Sequence, residues 1–205
     1  SLESIRHNIN RKQKNLKFFE FDKVYTLDNN NYKEVSKIGI YITGLNEKEH
    51  FIKKSEQVTF FDIMNTVNKL LTIGNIHDFD INPKDNSSTL DTCVEILSKD
   101  ESLCEIGKIK KEILASFNIS QDVYYAEFDW TTYIENFSRE FTFREIPKFP
   151  EVQRDLSLVI NKAVKFRDIK SVIYFNKLKA LKNFSLYDIY EGESIGKDKV
   201  AYSLR

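Results

Sequence analysis

Residues Phe143 to Ile160 read FREIPKFPEVQRDLSLVI, and the division of the chain turns on this stretch. Pro147 and Pro150 bracket Lys148 and Phe149. A proline fixes its own φ and disfavours helix at the residue before it, so the approach is extended. After Arg154 and Asp155 comes the apolar run Leu156-Ser157-Leu158-Val159-Ile160, with the length and composition of a buried strand. A proline-stiffened entry feeding a strand marks a domain start. It separates a first domain, residues 1–143, from a second, residues 144–205.

The charges divide at the same place. Residues 1–143 carry 18 Lys and Arg against 23 Asp and Glu, and residues 144–205 carry 13 against 8, although the whole chain is neutral. A positive second part points to a polyanionic partner; the competing reading is a solvated basic face. At 205 residues, 41% hydrophobic and 30% charged, the chain has the composition of a soluble globular protein of one large or two smaller domains. No apolar run approaches a membrane span and no signal peptide opens the sequence, so the expectation is a cytoplasmic protein without a membrane partner. Cys93 and Cys104 have neither CxxC spacing nor a nearby histidine. They read as small, reduced, buried residues rather than zinc ligands. The first residues are Ser-Leu-Glu, without methionine and inside a helical pattern, so the sequence is expected to be a piece of something longer.

Before the boundary, Leu2, Ile5 and Ile9 fall on one helical face over residues 1–12. Residues 16–27, rich in aromatic and branched side chains, read as one or two strands, and 28–31 as a turn. Ile38, Ile40 and Ile42 alternate as in a sheet until Gly44 and Asn46 break the pattern; residues 46–57 read as a surface loop. Thr59, with Asp62 three residues on, opens the clearest helix, its apolar stripe running from Phe60 to Leu71 and Gly74 placed to stop it. Residues 92–97 and 103–107 form a hairpin around 98–102. Ile109, Ile113 and Phe117 suggest a short helix, 123–129 a strand and 130–140 another short helix. After Ile160, Phe166, Ile169, Val172 and Ile173 give a helical stripe facing the sheet; residues 181–190 and 200–204 read as strands around a turn at 192–199. The whole is α+β, with a β-α-β-β second domain.

Two stretches carry a family resemblance. KFP, three residues, then RDL and an apolar strand resembles the start of the ferredoxin-fold anticodon-binding module of the phenylalanyl-tRNA synthetase β-subunit family, and YDIYEG and KVAYSL resemble its later strands. ESIRHNINRK followed by NLKFFEFDKVY resembles that family's inactive class II synthetase core. The order agrees with the family along nearly the whole chain. The resemblance implies a class II synthetase-like antiparallel sheet followed by a ferredoxin-like module whose last helix and strand are missing from the sequence.

It also implies the partners. In the family the catalytic site belongs to the α subunit of an (αβ)2 enzyme, which uses ATP and magnesium. The β core serves as scaffold and subunit interface, and the C-terminal module holds the anticodon stem-loop of phenylalanine tRNA. Active class II enzymes hold ATP with arginines, whose guanidinium groups match phosphate oxygens. The corresponding strand here, KFFEFDKVY, has no arginine. No catalytic residue, metal ligand or cofactor is therefore assigned to this chain. RNA-binding candidates come from the basic second domain: Lys148, Arg154, Arg167, Lys170, Lys177, Lys179, Lys182 and Arg205. Arg205 has the parity of the open sheet face. Two other readings remain: a protein-interaction scaffold without RNA contacts, and an unrelated small-molecule enzyme built on carboxylates such as Glu20, Asp22, Asp78, Asp80 and Glu127. His7, His50 and His77 read as surface or satisfied histidines.

Overall fold

The computed structural model describes residues 1–28, 31–46, 55–85, 87–139, 150–176, 178 and 180–205. The chain forms two compact units, Ser1–Thr142 and Phe143–Arg205.

The first unit is a six-stranded antiparallel sheet with helices on both faces. Its elements are α1 (Leu2–Asn10), β1 (Leu16–Asp28), β2 (Asn31–Thr43), α2 (Phe60–Ile73), β3 (Asp80–Pro83), β4 (Leu90–Ser98), β5 (Glu101–Ile109), α3 (Lys111–Ser116), β6 (Val123–Asp129) and α4 (Trp130–Asn136). The spatial order is β1-β2-β6-β5-β4-β3. Residues 16–28 make one strand, paired along its full length with β2 from Leu16↔Thr43 to Asp28↔Asn31.

Strand alternation sends successive side chains to opposite faces, and two cores result. On one face Ile40, Ile42, Ile106, Ala126 and Phe128 pack under Ile63, Val67 and Leu71 of α2 and Tyr133 of α4. On the other, Leu16, Cys93, Ile109 and Val123 pack with Ile5 of α1 and Leu114 of α3. Helix α2 starts as its sequence dictates: the Thr59 N–H donates to the Asp62 carboxylate at 2.7 Å, satisfying a donor the helix leaves free. The helix stops at Gly74, as its sequence suggests. Gly74 is right-handed (φ −74°), and the left-handed residue is Asn75 (φ 54°). Gly74 is needed for space, since a Cβ there would lie 2.9 Å from the Tyr133 hydroxyl. The hairpin between β4 and β5 turns on Lys99 and Asp100, both at positive φ, the geometry that matches strand twist in a two-residue turn. Ile109 belongs to β5 rather than to α3, and among the described residues between 76 and 88 only Asp80–Pro83 is strand.

The second unit comprises β7 (Leu156–Asn161), α5 (Phe166–Phe175), β8 (Leu186–Tyr190), a 3-10 turn (Glu193–Ile195) and β9 (Lys199–Leu204). Its antiparallel sheet has the order β7-β9-β8. This is the β-α-β-β order of the first part of a ferredoxin-like unit, so the protein is α+β throughout. Helix α5 lies against one sheet face, with Phe166 edge-on to Tyr202 at 6.3 Å between ring centres. Two expectations are corrected. Val172 is 61% exposed, so the packed stripe is Phe166, Ile169 and Ile173. Strand β8 begins at Leu186, because residues 181–185 pass under α5, where Phe184 meets Phe166 and Tyr174. Of the opening stretch, residues 143–149 lie outside the described residues, as do 47–54 of the presumed surface loop.

Candidate nucleic-acid interface

Lys148, Lys177 and Lys179 lie outside the described residues; the other five candidates are placed. Arg205 follows β9 and projects on the sheet face opposite α5. Its guanidinium forks onto Asp155, with Nε donating to Oδ1 at 2.8 Å and Nη2 to Oδ2 at 2.9 Å. The same group lies 4.7 Å from the centre of the Tyr187 ring. The hydrogen bonds and charge of Arg205 hold the Asp155 carboxyl below the usual carboxylate range. Tyr187 sits where the β8–β9 register slips between Leu186 and Asp188.

Arg167 and Lys170 are on α5, on the other side of the sheet. Arg167 Nε is 3.7 Å from Asp168, whose carboxylate also accepts from the Lys165 N–H at 2.9 Å at the start of the helix. Lys170 Nζ lies 5.6 Å from the Tyr174 ring centre. Lys182 donates to Glu151 at 2.8 Å. Arg154 and Lys170 have no ion-pair partner among the described residues. The structure thus brings together Arg205 and Tyr187 at one end of the open face and Lys170 and Tyr174 on α5. It does not gather the five cations into one patch, and acids hold three of them. A phosphate must displace those acids, whereas Arg154 and Lys170 are available to it. Exposed aromatic rings beside cations, Tyr187 and Tyr174 here, suit base stacking against a backbone-tracking charge.

The first unit carries an arrangement the sequence alone did not show. On the α1/α3 face, Glu20, Gly39, Glu127, Glu105 and Glu95 stand directly opposite one another across five adjacent strands. Four carboxylates in one cross-strand row repel, and the neighbours compensate. Lys37 pairs with Glu127, which also accepts from the Tyr125 hydroxyl at 2.7 Å. Lys84 bridges Glu105 at 2.6 Å and Glu95 at 3.2 Å. Ser102 donates to Glu95 at 2.6 Å, the main cause of that carboxyl's lowered pKa. Burial, then the bond to Glu127, pushes the Tyr125 hydroxyl far up, so it stays protonated and donating. Of the enzyme-reading carboxylates only Glu20 and Glu127 share this row. Both row lysines are committed to these carboxylates. Among the described residues no cluster of three His, Cys, Asp or Glu suits a metal ion, and no helix is long and apolar enough to cross a membrane.

The described residues thus form an antiparallel sheet between two helical layers, followed by a β-α-β-β unit of ferredoxin-like order that exposes cations and aromatic rings. Residues 1–130 match the family described as the phenylalanyl tRNA synthetase beta chain CLM domain, and residues 147–205 match the ferredoxin-fold anticodon binding domain. The chain belongs to the phenylalanyl-tRNA synthetase β-chain family. It is 31% identical over 224 residues to the phenylalanine–tRNA ligase beta subunit of Bacteroides fragilis, covering 99% of this chain and 26% of that protein. The Porphyromonas gingivalis beta subunit is 29% identical over 216 residues, with the same coverage. The chain therefore spans about a quarter of the length of these relatives. The pyrrolysyl-tRNA synthetase of Desulfitobacterium hafniense aligns at a TM-score of 0.49 and 12% identity over 65% of this chain and 46% of that one, too remote to carry weight.

Proposed function

We propose that this chain is a non-catalytic, tRNA-binding and subunit-assembly part of a phenylalanyl-tRNA synthetase β chain. In this reading residues 1–143 act as the inactive core and 144–205 as the anticodon-binding domain. The chain works in the cytoplasm within an (αβ)2 enzyme, whose α subunit uses ATP and magnesium to attach phenylalanine. The observation that carries the reading is the match of residues 147–205 to an anticodon-binding domain in a unit that exposes Arg154, Lys170 and Tyr187. Catalytic silence is supported by the lack of arginine in KFFEFDKVY, the stretch that resembles the ATP-holding strand of active class II enzymes. The test has two arms. The purified chain gives no phenylalanine-dependent ATP–pyrophosphate exchange above a no-protein blank; clear exchange removes the non-catalytic reading. In the intact synthetase, changing Lys177, Lys179 and Lys182 to Glu weakens tRNA binding and lowers the log–log salt slope by roughly 0.7–0.9 per lost contact, leaving adenylate formation unchanged. An unchanged slope removes these lysines from the interface.

A scaffold reading is favoured by one observation: Arg167, Lys182 and Arg205 are already paired with acids. Unaltered tRNA affinity on deleting residues 144–205 from the intact enzyme would select it.

A further inference from the structure

Helix α1 passes to β1 through the turn Asn10 to Asn15. From Ser4 to Phe19 the sequence holds Arg6, Arg11, Lys12, Lys14 and Lys17 without one carboxylate. The rest of residues 1–143 carries 13 Lys and Arg against 23 Asp and Glu, so this is an island of positive charge on an acidic unit. Arg11, Lys12, Lys14 and Lys17 are exposed. Among the described residues none of the five cations has an acidic partner, and Lys17 Nζ meets the neutral Asn46 side-chain oxygen at 3.3 Å. The bordering acids are engaged elsewhere. Asp62 accepts from the Thr59 N–H and from Asn46, both at 2.7 Å, and Asp122 lies 3.9 Å from Lys108.

The turn is held by its backbone and by neutral side chains. The Asn8 carbonyl accepts from the Arg11 and Gln13 N–H groups at 2.9 and 3.0 Å, and the Ile9 carbonyl from the Lys12 N–H at 2.9 Å. Gln121 Nε2 donates to the Lys14 carbonyl at 2.7 Å, and Asn15 Oδ1 accepts from the Leu45 N–H at 2.9 Å. The end of α1 is thus satisfied without the cationic side chains, and its dipole accounts for Arg11 at most. Lys12 sits at φ 65°, where lysine is disfavoured relative to glycine or asparagine. The composition names the partner. Protein interfaces have an apolar core and are depleted in lysine. Asn10 to Asn15 is wholly polar, so a folded surface, whether of another subunit or of the same polypeptide, finds no apolar anchor there. Lys, Arg, Asn and Gln on a fixed backbone suit phosphate oxygens instead. We infer that this turn is a second RNA contact, in which Arg11, Lys12 and Lys14 bind backbone phosphates of the tRNA and position it without reading its sequence. The inference rests on the tRNA-binding reading above and extends RNA contact to the first unit.

The experiment uses the intact synthetase, both subunits full length, and phenylalanine tRNA over a range of salt concentrations. Arg11→Gln, Lys12→Gln and Lys14→Gln are combined, since the hydrogen bonds that hold the turn use none of these three side chains. The triple variant keeps the unfolding midpoint, subunit association and adenylate formation of the unsubstituted enzyme. Its tRNA affinity falls on the order of 10–100-fold at ~0.1 M salt, and its log–log salt slope falls by roughly 2–3, at about 0.7–0.9 per lost contact. Arg11→Lys, Lys12→Arg and Lys14→Arg together retain both affinity and slope, because phosphate contact asks for charge alone. An unchanged slope, with or without weaker binding, overturns the contact, and so does loss of the α subunit from the triple variant, which would make the turn a protein-docking site. If the unsubstituted enzyme binds tRNA and the triple variant matches it, this inference falls and the tRNA-binding reading stands. If the unsubstituted enzyme does not bind tRNA, both fall.

Discussion

The six-stranded sheet of the first unit is covered by α1 and α3 on one face and by α2 and α4 on the other, and residues such as Ile63, Ile96, Leu103 and Ile106 are wholly buried. The three-stranded sheet of the second unit has α5 on one face, and only Val200 and Leu204 are buried among its described residues. Both sheets are antiparallel and written in similar apolar alternation. An alternating pattern specifies a strand in either setting, but the layers around the strand decide how much free energy each apolar residue contributes.

Core truncation tests this contrast most strongly. Phe128→Ala, at 1% exposure, costs about 3–5 kcal/mol, whereas Phe166→Ala on the half-buried face of α5 costs about 1–2 kcal/mol, in proportion to the area it keeps in water. Urea titration with a separate probe in each unit shows two transitions, the second unit melting first. Equal costs or a single coincident transition would break the contrast. A smaller effect concerns close packing. A Cβ on Gly107 would lie 2.5 Å from the Thr92 carbonyl oxygen, so Gly107→Ala pries β5 from β4 and costs about 1–3 kcal/mol in the first transition alone.

Next comes pH. Glu95 is held below its ordinary value of 4.5, first by Ser102 and then by Lys84, and Lys84 is raised above 10.5, first by Glu105. The Glu95 contribution is complete above 4.5 and lost as pH falls through its lowered folded value. The Lys84 contribution is complete below 10.5 and lost as pH rises through its raised one. The first unit should therefore show a stability plateau between these limits, and Lys84→Met should flatten both edges in a melting-temperature profile. The smallest effect sharpens the RNA reading. Asp155→Asn releases Arg205 and should raise tRNA affinity a few-fold (roughly one added phosphate contact) with a steeper salt slope and little change in the second transition. Weaker tRNA binding would instead mean that Asp155 positions Arg205.

Local chemistry carried much of the fold into the sequence. The Thr59–Asp62 pair and the 3.6-residue stripe marked α2, and 98–102 between two apolar runs marked the β4–β5 hairpin. What escaped depends on register and on long-range neighbours. The carboxylate row needs Glu20, Glu95, Glu105 and Glu127 from four strands, and no spacing along the chain places them opposite one another. The acids that hold Arg205 and Lys182 lie 50 and 31 residues away, so a count of basic residues overstated the charge on offer. Val172 fits the helical stripe of α5 as well as Ile173 does, yet a three-stranded sheet is too narrow to cover both. Tyr187 could have been noticed as an aromatic in a polar setting, but its place beside Arg205 follows from a bulge.

The pairing of β2 with β6 has a consequence in time. Strands β1 and β2 are consecutive and form their long hairpin locally, but the inner partner β6 starts roughly 80 residues later, at Val123. At a synthesis rate of ~5–20 residues per second, the hairpin waits on the order of 4–16 s for that partner. Until α2 is made, Phe19, Phe21, Ile40 and Ile42 share one uncovered ribbon face, and Phe19 and Phe21 stay exposed afterwards. The nascent chain is then a natural client for chaperones that bind short apolar segments, and slow codons between Thr43 and Val123 would lengthen its exposure.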